Sequence, residues 1–259
     1  MTSIRVVVQG NFANADDMLP SLLANAKEAR DIPGNLQSEV FRGNEFPDNL
    51  LYLQLWETAA GFDAYWEKAS QRPDVVSRMA RQSAPFHHGT PQAPRRTGEN
   101  GIEFYRHMSY GRIDSGWAPT DEGERPASIR FPAWGPVRIV IQGTSEPAPP
   151  AQAQLDNAAE SRLEPGCIQF ENFRSVEFPE NTCLMELWSS PDIYDIHWLN
   201  RLTQQAPRPG QPAAPPRPTP PERRYGRAGL EWYAHSYYTL VDNVWQPEIA
   251  AQRMTTVRW

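Results

Sequence analysis

The sequence predicts an α+β fold, two tandem ferredoxin-like βαββαβ domains packed sheet to sheet as an internal pseudo-dimer. Three observations predict it. The chain repeats itself; each copy orders its patterns strand, helix, strand, strand, helix, strand; and one strand of each copy alternates so that its apolar face needs a second sheet to cover it.

The repeat is read directly from the residues. Ile4-Arg5-Val6-Val7-Val8-Gln9-Gly10 returns as Val137-Arg138-Ile139-Val140-Ile141-Gln142-Gly143, and the segment 34–42 returns as 166–174. Glu45-Phe46-Pro47-Asp48-Asn49 corresponds to Glu177-Phe178-Pro179-Glu180-Asn181, and Leu55-Trp56 to Leu187-Trp188. The ends match too: Gly101 to His107 pairs with Gly229 to His235, with Trp117 and Trp245 following at the same distance. The boundary falls within 131–136, giving domains 1–132 and 133–259.

Each copy opens on a β-rich run, Ile4 to Gln9 or Val137 to Gln142. Asp16 to Arg30, rich in leucine and alanine, then favours helix, which Gly34 closes, as Gly166 does in the second copy. Gln37 to Phe41 and Leu50 to Trp56 are strands, with Gly43, Asn44 and Pro47 supplying the turn. Ser190 is placed to cap the second helix, with Pro191 at its first position and Asp192 at the positive end of the dipole; Thr58 takes the Ser190 place in the first copy. A last strand carries Phe104 to Tyr110 or Trp232 to Tyr238. In Leu51 to Trp56 the leucines point one way and Tyr52, Gln54 and Trp56 the other; Cys183, Met185 and Leu187 continue the leucine face, which should meet the other half. The proline-bearing stretches 84–100 and 205–224 read as extended loops, either surface linker or a lid over a pocket.

Composition narrows the function. The net charge is −6 and no basic stripe occurs, which argues against nucleic acid. There is no run of 18 apolar residues and no signal-like start, so a cytoplasmic protein without membrane contact is expected. Cys167 and Cys183 are too few for a disulfide scaffold and read as reduced, buried, small apolar residues. No dinucleotide fingerprint, phosphate loop, His-Glu-x-x-His motif or nucleophile elbow is present, and His87-His88 reads as solvated loop, so no metal is expected. Nine Trp and nine Tyr make flat pockets a natural suspicion.

The chemistry should lie on the helix-facing side of the sheets. In the first copy Tyr52, Gln54 and Trp56 face a helix carrying Phe62, Tyr65 and Trp66; in the second, Leu184, Glu186 and Trp188 face Tyr194, His197 and Trp198. Aromatic walls with one or two polar groups suit a flat aromatic ligand, and they also suit ordinary core packing. Glu186 and His197 are harder to assign to packing, because a carboxylate and an imidazole between sheet and helix need partners. They are candidates for removing a phenol proton, with Tyr194 as oxyanion donor. His107 and His235 recur beside Tyr105 and Tyr233 and point to a shared structural job, with substrate contact as the second option. Tyr65 stands where the second copy has His197, so the second copy is the better catalytic candidate.

The passage Leu-Trp followed by Phe/Tyr-Asp-x-His/Tyr-Trp, at 55–66 and 187–198, resembles the antibiotic-biosynthesis monooxygenase superfamily of dimeric α+β barrels. Tandem copies with the textures of 34–43 and 164–171 resemble more narrowly the ring-opening oxygenases of angucycline pathways of the jadomycin, gilvocarcin and kinamycin kind. That resemblance implies Baeyer–Villiger-like B-ring opening of a planar polycyclic aromatic polyketide such as dehydrorabelomycin. It also implies O2, reduced flavin (FADH2 or FMNH2) from a separate flavin reductase, and the option of a homodimer. Against the anthrone-oxidising members, Trp188 and Tyr194 match the substrate-site Trp and Tyr, whereas Leu184 replaces an Asn; in the first copy Trp56 matches while Tyr52 and Phe62 depart. Anthrone-type oxidation, haem degradation and a non-catalytic ligand-binding module are the alternatives.

Overall fold

The computed structural model describes residues 3–12, 14–69, 71–73, 101–107, 109–113, 116–119, 135–205, 210, 219–235, 238–241 and 244–247. The first half runs β1 (Ile4–Asn11), α1 (Ala15–Arg30), β2 (Asn35–Gly43), β3 (Asn49–Trp56), α2 (Ala59–Ala69) and β4 (Gly101–Arg106), followed by a hairpin of β5 (Ser109–Ile113) and β6 (Gly116–Pro119). The second half repeats it as β7 (Val137–Thr144), α3 (Gln152–Leu163), β8 (Cys167–Ser175), β9 (Asn181–Trp188), α4 (Pro191–Gln205) and β10 (Gly229–Ala234), with the hairpin β11 (Tyr238–Val241) and β12 (Val244–Pro247). His87, His88, the domain boundary and most of the two proline-bearing stretches lie outside the described residues. No described helix is long and apolar enough to cross a membrane.

Local chemistry explains the helix ends. Gly34 and Gly166 adopt φ of +86° and +83°, which L side chains rarely tolerate, and so turn the chain out of α1 and α3 into the next strand. The Ser190 hydroxyl accepts the backbone N–H of Ile193 at 3.4 Å as α4 starts on Pro191, and the Thr58 hydroxyl accepts that of Gly61 at 3.1 Å.

The halves form the sheets β4-β1-β3-β2 and β8-β9-β7-β10, with antiparallel pairing inside each. A short β2–β8 pairing, Phe41 with Ser175 to Gly43 with Phe173, joins them. The chain leaves the first sheet at Arg106, earlier than Tyr110 as expected from sequence, and the β5–β6 hairpin adds to β10 of the other half. Reciprocally, β11 pairs with β4. Each half thus covers the other's edge strand, β10 or β4, which moves the sheet edges out to the short hairpin strands β6 and β12 and nearly closes the α+β barrel.

The leucine face does meet the other half. Val7, Phe41, Leu51 and Leu53 pack with Val140, Phe173, Cys183 and Met185 in one cluster, each large side chain contributing on the order of 1.5–3 kcal/mol. Cys183 lies inside it, and burial pushes its thiol well up. Cys167 departs from the expectation and is only half-buried, because β8 carries a bulge between Cys167 and Gln169. An equivalent bulge lies between Asn35 and Gln37. Beyond the bulges Gln37, Glu39, Gln169 and Glu171 are buried with the leucines' side of the sheets.

That layer also holds a two-fold-like lattice of buried polar groups. Arg5 donates to both oxygens of Glu231 at 2.9 and 2.7 Å and to Gln37 Oε1 at 2.8 Å; Arg138 donates to both oxygens of Glu103 at 2.9 and 2.8 Å and to Gln169 Oε1 at 2.7 Å. Gln37 donates to Gln142 and Gln169 to Gln9, each at 2.7 Å. Asn181 donates to Glu39 and Asn49 to Glu171, each at 2.7 Å. All of these bonds except Arg5–Gln37 and Arg138–Gln169 join one half to the other. Burial pushes the Glu103 and Glu231 carboxyls up, but Arg138 and Arg5 respectively outweigh it and hold both below the usual carboxylate range.

Candidate functional site

On the opposite face of each sheet, strand residues of the other parity meet the helices. In the first half Ile4, Val6, Trp56, Ile102 and Phe104 pack with Ala29, Phe62, Tyr65 and Ala69, with Ile32 and Trp66 at the margin. Trp56 and Tyr65 stack at 5.2 Å and Phe62 and Trp66 at 6.3 Å, while Tyr52 joins a separate cluster under α1. Burial raises the Tyr52 phenol well above its ordinary range. The Trp56 indole N–H donates to Gln54 Oε1 at 2.9 Å. The structure therefore places Tyr52, Gln54, Trp56 and Tyr65 in closed core.

The second half repeats this packing with different chemistry. Trp188, Tyr194 and Trp232 pack together, Tyr194 edge-on to Trp232 at 4.5 Å, and Trp198 lies partly buried against the same cluster. The Trp188 indole N–H donates to Glu186 Oε2 at 2.8 Å, the same bond that Gln54 receives in the first half. Burial pushes the Glu186 carboxyl up to about 7, against the lowering effect of the Trp188 bond. The His197 ring lies 4.5 Å from the Trp188 ring, and its Nδ1 is 2.8 Å from Glu164 Oε2. Burial lowers the imidazole pKa, with Glu164 opposing, so His197 is the neutral, proton-accepting form near neutral pH. Arg201 donates to Ser161 Oγ at 2.7 Å and to Glu164 Oε1 at 3.2 Å.

Aligning the halves on Gly34 and Gly166 turns the duplication into an internal control. Ala29, Ile32, Gln54, Tyr65 and Ala69 of the first half become Ser161, Glu164, Glu186, His197 and Arg201 in the second. The first set closes a largely apolar core; the second set introduces three ionisable side chains at formerly apolar or aromatic positions and one in place of an amide. Sequence reasoning picked out Glu186 and His197 and missed Ser161, Glu164 and Arg201. The signal was available, since Glu164 precedes the aligned Pro-Gly at 165–166 and Arg201 follows His197 by one helical turn.

Of the other candidates, Trp188 and Tyr194 are wholly buried. For either to touch a ligand, α4 has to draw away from the sheet. His107 and His235 do not join this layer. Their Nδ1 atoms lie 3.2 Å from the Tyr233 hydroxyl and 3.1 Å from the Tyr105 hydroxyl, respectively, and the Tyr105 and Tyr233 rings stack at 4.2 Å between the sheets. Their backbone N–H groups bond Ser3 and Pro136 carbonyls at the strand ends. This is a structural arrangement linking the halves.

The first half shows what Glu186 adds. A Gln at 186 keeps the acceptor that Trp188 needs, so Glu186→Gln should fold. The buried acid has a folded value near 7, above the ordinary 4.5, so its stability contribution is full below about 4.5 and falls as pH rises to about 7. Unfolding of Glu186→Gln and the parent should therefore converge at low pH. The variant should gain on the order of 3 kcal/mol relative to the parent by pH 7 to 8; parallel denaturant curves at every pH would refute the burial argument.

Residues 137–202, from β7 through most of α4 and including Glu164, Glu186, His197 and Arg201, match the family model for antibiotic biosynthesis monooxygenase. A search among curated proteins found no match. Among solved structures, a protein assigned as a monooxygenase from Lactobacillus acidophilus NCFM is 11% identical, with a TM-score of 0.31 over 90% of this chain and 93% of that one. One similarly assigned from Fusobacterium nucleatum is 10% identical, with a TM-score of 0.32 over 78% and 85%. An anthrone oxidase-like protein is 10% identical, with a TM-score of 0.27 over 82% and 80%. At such scores these likenesses carry no argument about substrate.

Proposed function

We propose, taking the antibiotic biosynthesis monooxygenase match of the second half as premise, that the protein is an oxygenase acting on a planar phenolic polyketide. On this reading the reaction is Baeyer–Villiger-like B-ring opening of an angucycline of the dehydrorabelomycin type. The observation that supports it is the His197 imidazole seated on a carboxylate beside the Trp188 ring, in the half where the family match falls, at the place where its sister has Tyr65.

A carboxylate accepts hydrogen bonds and cannot donate them, so neutral His197 carries its hydrogen on Nδ1 toward Glu164 and its lone pair on Nε2. Nε2 takes the proton of a substrate phenol, making the ring electron-rich toward oxygen. Glu186, with a carboxyl near 7, holds or releases a proton on the oxygen not engaged by Trp188. Trp198 at the margin and Trp188 beneath supply flat apolar surface, and Tyr194 serves as hydroxyl donor to a developing oxyanion once α4 shifts.

The described residues of this layer do not fit a resident isoalloxazine, because Trp188 and Tyr194 pack on each other and Arg201 is committed to Ser161 and Glu164. The reduced flavin of this proposal stays with a separate reductase and supplies the two electrons that accompany insertion of one atom of O2 and release of the other as water. Incubation with dehydrorabelomycin, reduced flavin and 18O2 should consume the substrate and place one labelled atom in the product. Substrate persisting unchanged with all three present would overturn the proposal.

A further inference from the structure

We propose that Glu164, held by Arg201 and Ser161, is a positioning residue that fixes the orientation and tautomer of His197, so that Nε2 is the atom presented to substrate. This rests on the reading of His197 as the base. Four observations carry it. Glu164 Oε2 is 2.8 Å from His197 Nδ1, and its other oxygen accepts from Arg201 at 3.2 Å, so one carboxylate is gripped from two places on α4. The same Arg201 nitrogen donates to Ser161 Oγ at 2.7 Å, and that hydroxyl donates to the Asn157 carbonyl at 2.8 Å, tying the group back into α3. The carboxylate stands on a stiff turn: the Glu164 N–H bonds the Ser161 carbonyl, Pro165 follows, and Gly166 sits at φ +83° so close to Ser189 and Ile193 that a Cβ would lie within 2.7 Å of both. Finally, Ser161, Glu164, His197 and Arg201 occur together, and Ala29, Ile32, Tyr65 and Ala69 replace all four together in the half that has tyrosine at the His197 position.

The groups facing His197 are Glu164 from the turn, Arg201 and Tyr194 from its own helix, and Trp188 and Phe170 from the strands, while Glu186 and Cys167 lie within electrostatic reach of Glu164. Of these, Glu164 is the anion in direct contact with the ring. Removing its charge while keeping an acceptor isolates its influence.

The test is an NMR titration of the histidines in the full-length parent and in Glu164→Gln, alongside the pH dependence of turnover of the dehydrorabelomycin-type substrate with reduced flavin and O2. The chain has five histidines, and the His197 signal is the one absent from His197→Tyr. In Glu164→Gln the His197 titration should move down by about one pH unit, as loss of a contacting opposite charge requires. The acidic limb of kcat/KM should move with it and the plateau should fall about tenfold. An unmoved His197 titration overturns the proposal. A shifted titration with an unmoved rate profile leaves the Glu164–His197 coupling standing and removes His197 as the base, so the two failures are distinct. Should Glu164→Gln fail to fold, Glu164→Asp keeps the charge but shortens the reach. It should lower the His197 titration by less than a unit, and no change there would likewise count against the proposal.

Discussion

Arg138→Met should destabilise the chain by about 3–5 kcal/mol near neutral pH, the largest effect expected of any single substitution. The guanidinium is fully buried and makes bonds to both Glu103 oxygens, to Gln169 and to the Glu186 carbonyl. Methionine fills much of the volume and leaves Glu103 as a buried anion without its principal cation. The cost should be greatest at neutral pH and shrink toward about pH 5, because without Arg138 burial raises the Glu103 carboxyl and acid neutralises the stranded charge in the variant, whereas the parent's Glu103, held low by Arg138, stays ionised across that window. The mirrored change Arg5→Met, which strips Glu231, should cost a similar amount. Pairing Arg138→Met with Glu103→Gln should recover part of the loss. Denaturant unfolding at about pH 7 and about pH 5 measures all of this, and a deficit under about 1 kcal/mol would mean that the inter-sheet lattice is not what joins the halves.

His197→Tyr should lower kcat by about 10²–10⁴-fold, the usual contribution of a positioned general base, while changing stability far less. Its justification comes from the chain itself, since Tyr65 occupies the equivalent place in the first half and stacks on Trp56. Tyrosine at 197 can pack on Trp188 in the same way but offers no lone pair of comparable basicity near neutral pH. Glu164 is partly exposed and regains water. A variant with parent-like unfolding and parent-like kcat would remove His197 from the chemistry.

Much of this was legible before any coordinates. The duplication, the element order, the leucine face and the helix caps at Thr58 and Ser190 all follow from spacing and side-chain type, because each depends on residues near one another in the chain. Glu186 and His197 stood out for the same reason, being polar at positions whose periodicity points inward. Glu164 did not, since it lies 33 residues from His197 and its meaning depends on how the turn after α3 meets α4. Arg5, Gln9, Gln37, Glu39 and Glu103 were equally hidden. Their parity on the strands matches the leucines, and a charged residue at such a place reads as solvent-facing until its partner is known.

Sequence by itself determined that the protein is doubled, that each half is a βαββαβ unit, and that only the second half carries an ionisable pair beneath its helix. Tertiary structure decided which edge each trailing hairpin covers, that the sheet-to-sheet layer is laced by Arg5–Glu231 and Arg138–Glu103, and that His197 leans on Glu164 rather than standing alone. The physical reason is range. Hydrogen-bonded turns, caps and alternation are set within a few residues, whereas a buried charge is tolerable only beside its counter-charge, and here those partners lie 226, 35 and 33 positions apart.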